Sequence, residues 1–252
     1  MELYLLCVFA FIAGFIDSVV GGGGLVQVPA FFVLYPGLPV PNIIGTNRMA
    51  SAVGTAVAAL NYARSVRIPW RTVVSAGLAA AVFSYGGATV QSRLPSELLK
   101  PIILVLIVVI AVYTYRKKDL GQLEKLQVPP DRIALWAAGI GAVLGFYNGF
   151  VGPGTGSLLV FGFVRVIGYS FLSSSAISKV VNVIADVSSL LFFLAHKFVL
   201  FHLALPMMAC NVAGAYTGSR MAVLRGNAFI RQIFLVVVAG IIARFAWDVF
   251  KF

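Results

Sequence analysis

Charge is what this sequence has least of. Lys, Arg, Asp and Glu make up 11% of its 252 residues, against about 25% in an ordinary soluble domain. So few polar side chains cannot coat a compact surface in water. With 60% apolar residues and a mean hydropathy of +0.98, the bilayer must be the solvent. Cysteine is almost missing too: Cys7 and Cys210 lie in apolar segments without a ligand-like spacing, which supports neither a disulfide framework nor a metal site. There is no His-Glu-x-x-His and no Gly-x-Ser-x-Gly, and neither deep acid, Asp17 or Asp186, follows Gly-x-Gly. Metalloprotease, serine-hydrolase and intramembrane aspartyl chemistry therefore have no machinery here. No enzyme is expected, and no metal or other cofactor. Gly152-Pro-Gly-Thr-Gly-Ser looks like a phosphate loop but lacks the lysine and the βαβ frame.

What is present in excess is positive charge, 19 Lys+Arg against 8 Asp+Glu. The basic residues lie between apolar stretches, as charges that orient helices in a membrane do, so nucleic acid is not the expected partner. Met1-Glu2 runs straight into apolar sequence without a basic n-region, so the first segment is expected to be retained.

The apolar stretches run Leu3–Val20, Leu25–Tyr35, Ile43–Ala63, Thr72–Val90, Pro101–Tyr115, Ile133–Val151, Leu158–Val164, Ala176–Ala195, Leu203–Val223 and Phe229–Phe250. A crossing helix takes about 20 residues, so Leu25–Tyr35 and Leu158–Val164 are short. Each follows a glycine-rich break. The expected fold is an all-α polytopic membrane protein in two homologous halves: a transmembrane repeat over 1–115, a basic cytoplasmic linker over 116–132 and a second repeat over 133–252. Each half would hold a glycine-broken hairpin or discontinuous helix plus three transmembrane helices.

The duplication rests on a single gapless offset of 131 residues. Gly14-Phe15 falls on Gly145-Phe146, Asp17 on Asn148, Val20-Gly21 on Val151-Gly152, Arg48 on Lys179, Tyr85 on Tyr216 and Gly87 on Gly218, which is more than chance glycines supply. If each broken pair enters and leaves on one face, three further crossings invert the second repeat. One face then carries Arg64, Arg67, Arg71, Arg116, Lys117, Lys118, Lys125, Arg132, Arg165, Arg220, Arg225 and Arg231, and the other Arg93, Lys100, Lys197 and Lys251. Twelve against four becomes ten against six if each broken pair makes one crossing, so the positive-inside rule favours inverted repeats.

The break in Gly14–Pro29 holds Gly21, Gly22, Gly23 and Gly24 in sequence. At membrane depth an opened backbone needs a polar occupant. A helix starting near Leu25 would leave the amides of Gly22 to Val26 free at its positive end, which makes an anion site. Gly154, Thr155, Gly156 and Ser157 offer the same in the second half, although small residues also serve close packing. Arg48 and Lys179, at matching positions, would face this site or snorkel to headgroups. Asn47 and Asn182 flank them as amide donors or interhelical bridges. Asp17 would cap the break, pair with Arg48 or take up a proton; Asp186, at i+7 from Lys179, would pair with it. Arg244 and Asp248 read as a local pair. His196, His202, Trp70, Trp136 and Trp247 read as interfacial anchors.

GFIDSVVGGGGLVQVPAFF, the returning GFYNGFVGPGTGSLLVFGFV and the cation in GTNRMAS together resemble the TauE/SafE family of membrane permeases, the sulfite exporter family. The resemblance covers the whole chain. It implies a bacterial inner-membrane, multi-pass transporter of small sulfur-containing anions such as sulfite, thiosulfate or organosulfonates, usually outward. The expected partners are such an oxyanion or sulfonate and the lipid bilayer; a homodimer is left open. The expected mechanism is alternating access at a midplane site. The alternatives are a passive anion channel and a non-transporting membrane scaffold.

Overall fold

The computed structural model describes residues 1–99, 101–103, 105 and 125–250, without the side chains of 20, 227, 228 and 230–250. The helices among these residues include α1 (Glu2–Val20), α2 (Gly24–Leu34), α3 (Val40–Ser65), α4 (Trp70–Ser92), α5 (Ile133–Phe150), α6 (Thr155–Gly162) running into a π turn at Phe163–Ile167, α7 (Phe171–Ala195) and α8 (Phe201–Phe250), broken at Gly226. Helices α1, α4, α5 and α7 are long and apolar enough to cross a membrane. Most of the 116–132 linker, and the side chains of Arg244, Trp247 and Asp248, lie outside the described residues.

Both glycine breaks make hairpins. Leu3 and Leu6 at the start of α1 pack with Phe31, Leu34 and Tyr35 at the end of α2. Ile133 and Ile140 of α5 pack with Phe163 and Ile167 beyond α6. The chain therefore returns the way it came, and a single discontinuous crossing is not what these segments form. At the first turn Gly21 sits at φ 82, a left-handed conformation that an L side chain resists.

The two halves are interlocked rather than side by side, and their contacts repeat at the 131-residue offset. A Cβ on Gly145 of α5 would stand 2.5 Å from Ala80 Cα of α4, and one on Gly14 of α1 would stand 2.2 Å from the Asn211 carbonyl oxygen of α8. Residues 14 and 80 become 145 and 211 under the offset. Likewise Gly87 meets the Phe146 carbonyl, and Gly218 that of Phe15. Each half thus lends a helix to the other, as a pseudo-two-fold arrangement of duplicated units does.

The bundle has two ends. One gathers Val66, Ile68, Leu172, Met221 and Phe229, with Thr72 Oγ1 2.9 Å from the Tyr169 hydroxyl and the Lys125 amide donating to the Gly168 carbonyl. The other gathers Leu3, Leu34, Leu38 and Leu200, with the Leu200 amide donating to Thr46 Oγ1 and the Val40 amide to Ser96 Oγ. By chain adjacency the first end carries Arg64, Arg67, Arg71, Lys125, Arg132, Arg165, Arg220 and Arg225; the second carries Arg93 and Lys197.

Candidate functional site

The two hairpin turns meet deep in the bundle. The Ser157 amide donates to the Gly21 carbonyl at 2.8 Å, and a Cβ on Gly24 would stand 2.9 Å from Pro153 Cα. Beside this crossing is a small cavity of about 30 Å³, room for a water or two. Helices α3 and α7 close its sides through Arg48, Ser51 and Thr55 from one and Asn182 and Asp186 from the other. Of the residues singled out in the sequence, Gly21, Gly23, Gly24, Asn47, Arg48, Gly154, Thr155, Gly156, Asn182, Asp17 and Asp186 line it; Gly22, Ser157 and Lys179 do not.

Both expected pairings of the deep acids are corrected. Arg48 Nη1 is 2.6 Å from Asp186 Oδ1, and Lys179 Nζ is 3.3 Å from Asp17 Oδ2. Each cation reaches into the opposite half. The i, i+7 partner of Lys179 fails because seven residues advance a helix by about 10 Å, too far for contact. Arg48 also donates to the Asn148 backbone carbonyl, and Lys179 to that of Asp17. Residues 17 and 148 are offset mates in the last turns of α1 and α5, where the carbonyl end of a helix favours a cation. Neither cation snorkels: Arg48 is 5% exposed and Lys179 is fully buried.

The same offset relates the groups that hold each acid. Asp17 Oδ2 accepts from Thr55 Oγ1 at 3.1 Å. Asp186 Oδ1 accepts from Asn148 Nδ2 at 2.9 Å, and its Oδ2 from Asn182 Nδ2 at 3.1 Å. Asp17 matches Asn148, and Thr55 matches Asp186. Each of the two matching cations therefore has one acid in the opposite half, on the broken helix for Lys179 and on the spanning helix for Arg48. Asn148 is further fixed by Ser84 Oγ, 3.0 Å from its Oδ1.

Backbone donors are fewer than the sequence led us to expect. The Leu25 and Val26 amides donate to Gly22 and Gly23, and the Thr155 amide to Gly152. With both cations paired, the side-chain charges around the site cancel. What remains unsatisfied is specific: Arg48 Nε and Gln27 Nε2, two buried donors, and Asn47 Oδ1. All three residues line the cavity. Asn47 can present its amide nitrogen instead by a half-turn of its carboxamide. Sequence reasoning missed Gln27, although it is the one polar side chain between Leu25 and Leu34, and missed Thr55 and Asn148 as acid-holding groups, which the offset itself points to.

The chain matches the family described as "Sulfite exporter TauE/SafE" over residues 6–245. It is 34% identical over 98% of its length, and 93% of the relative's, to a "Probable membrane transporter protein ORF9" of Sinorhizobium sp. It is 30% identical to a "Probable membrane transporter protein" of Haemophilus influenzae, covering 97% and 94%. To "Probable membrane transporter protein YfcA" of Escherichia coli K12 it is 29% identical, covering 95% and 87%. No solved structure matches it. A helical, membrane-compatible bundle built around two crossing glycine hairpins, matched over nearly all its length by that family, belongs to the TauE/SafE family of membrane transporters.

Proposed function

We propose that the protein exports a small sulfur-containing anion, sulfite, thiosulfate or an organosulfonate, across the bacterial inner membrane, by alternating access around the cavity where the hairpins cross. The observation that carries this reading is the pair of unsatisfied buried donors, Arg48 Nε and Gln27 Nε2. A buried donor without a partner costs about 1–3 kcal/mol, and an oxyanion with several acceptor oxygens would relieve both. The ion pairs leave no net side-chain charge there, so the ligand brings its charge to helix ends and amide donors rather than to a bare cation.

Export runs downhill electrically, since each negative charge leaving a negative interior releases about 2.3 kcal/mol per 100 mV. In this reading the end carrying Arg64 and Arg67 is cytoplasmic, and the repeats are inverted. Alternating access is favoured over a passive channel because apolar side chains, Ile44, Phe192 and Phe193 among them, close one approach to the cavity.

Gln27→Met tests the reading. It removes an unpartnered polar group, so the melting temperature should hold or rise, while affinity for the cargo falls about 10- to 100-fold, the worth of one hydrogen bond to a charged group. Thermal shifts of purified protein with sulfite, thiosulfate, sulfate, sulfonates and carboxylates select the cargo, and flux into proteoliposomes measures the loss. No shift with any sulfur anion, or undiminished flux in Gln27→Met, would overturn the proposal.

A further inference from the structure

A second set of buried polar groups lies on the same two helices, between the cavity and the basic end. Tyr62 of α3 and Ser174, Ser175 and Ser178 of α7 are all fully buried; none of their hydroxyls makes a well-formed hydrogen bond, and the nearest approach to one is that of the Tyr62 hydroxyl to Ser175. Tyr62 lies beside Ser175 and near Asp17, among Val19, Ala176 and Ala222. It is seven residues along α3 from the cavity-lining Thr55, about 10 Å. Immediately beyond it is an open cleft of about 520 Å³ lined by Arg64, Ser65, Arg67 and Trp70. Four buried hydroxyls on facing stretches of α3 and α7 without well-formed hydrogen bonds are expensive in a dry interior, and they make sense in a segment that is wet in another state.

The 131-residue offset sharpens this. The mate of Tyr62 is Phe193 on α7, and the mates of Ser174 and Ser175 are Ile43 and Ile44 on α3. Phe193 packs with Ile44, Val40 and Phe198 at the opposite end, against Gly45, itself the mate of Ala176. Two aromatic side chains thus occupy equivalent positions on either side of the cavity, one among hydroxyls and one among hydrocarbon.

Resting on the transport reading above, we propose that Tyr62, Ser174, Ser175 and Ser178 are a second anion station, the passage between the cavity and the basic cleft, closed in this state by the Tyr62 ring. Hydroxyl donors suit a small oxyanion passing between Arg48 and the Arg64–Arg67 cleft. Phe193 is the corresponding dry closure on the other side. The hydroxylic passage opens more readily, because its groups gain water on opening while the Ile43–Ile44–Phe193 seal loses apolar burial.

The test uses the full chain with Cys7→Ala and Cys210→Ala, carrying Ser175→Cys and reconstituted in vesicles. An impermeant thiol reagent should modify residue 175 from the face bearing Arg64 and not from the other. Tyr62→Ala should speed that modification about tenfold, the effect on an opening equilibrium of about 1.4 kcal/mol of lost closure, and Phe193→Ala should leave it within about twofold. Tyr62→Phe, which keeps the ring and the fold, should leave modification near the parent rate and slow sulfite flux by removing a donor. Residue 175 inert in both the parent and Tyr62→Ala, or modified from the opposite face, overturns the passage. Absence of sulfur-anion flux with the modification pattern intact sinks the cargo assignment and leaves the passage standing.

Discussion

Arg48 and Asp186 exist as a unit. Neutralising one of them strands the other at membrane depth, and breaking a buried ion pair this way costs about 3–5 kcal/mol. Asp186→Asn should therefore lower the melting temperature sharply, and adding Arg48→Gln should recover most of the loss; a double variant less stable than Asp186→Asn would refute the coupling. The identity of these residues was legible, since two cations at one offset inside apolar segments stand out. Their partners were not. Local spacing pairs residues on one helix, whereas Asp17 and Lys179 are 162 positions apart and meet only because the halves interlock. The sequence likewise hides which amides stay free, because the first turns of α2 and α6 close hydrogen bonds onto their own glycine carbonyls.

At the scale of elements, the hairpin turns carry the architecture. A Cβ at Gly21 would stand 2.2 Å from the Gly156 carbonyl carbon while φ is +82, so Gly21→Ala meets both a backbone clash and a strained conformation. We expect loss of transport and a melting temperature several degrees lower. Gly86→Ala on α4, with open space around it, should be neutral or stabilising by up to about 1 kcal/mol; equal damage from both would mean that the turn is not the reason. That these segments break was plain from four glycines in a row. That they return as hairpins needed the packing of Leu3 and Leu6 on Phe31, since an 11-residue helix after a break fits a continued crossing equally well.

The whole molecule is organised by charge at its ends and by symmetry between them. Cysteines introduced singly at Gly37 and at Asp131, both exposed, should be modified from opposite faces of the membrane in the Cys7→Ala, Cys210→Ala chain. Finding both on one face would refute the inverted arrangement. The expected sidedness rests on how unevenly the basic residues cluster, whereas the helical bundle itself was legible because little else can be built from 60% apolar residues. The aromatic pair Tyr62 and Phe193 was not legible, for an apolar segment gives no sign of which ring faces a path.

The exchange of helices between halves also has a consequence for synthesis. Helix α1 packs on α8, so Gly14 waits for Asn211, and at about 5–20 residues per second that is roughly 10–40 s of elongation. For most of that interval, the 162 residues between them, Asp17 has been made while Lys179 has not. The nascent first half is thus an incomplete object with a naked acid and an open glycine seam, and its insertion must be held or shielded until the second half arrives to complete it.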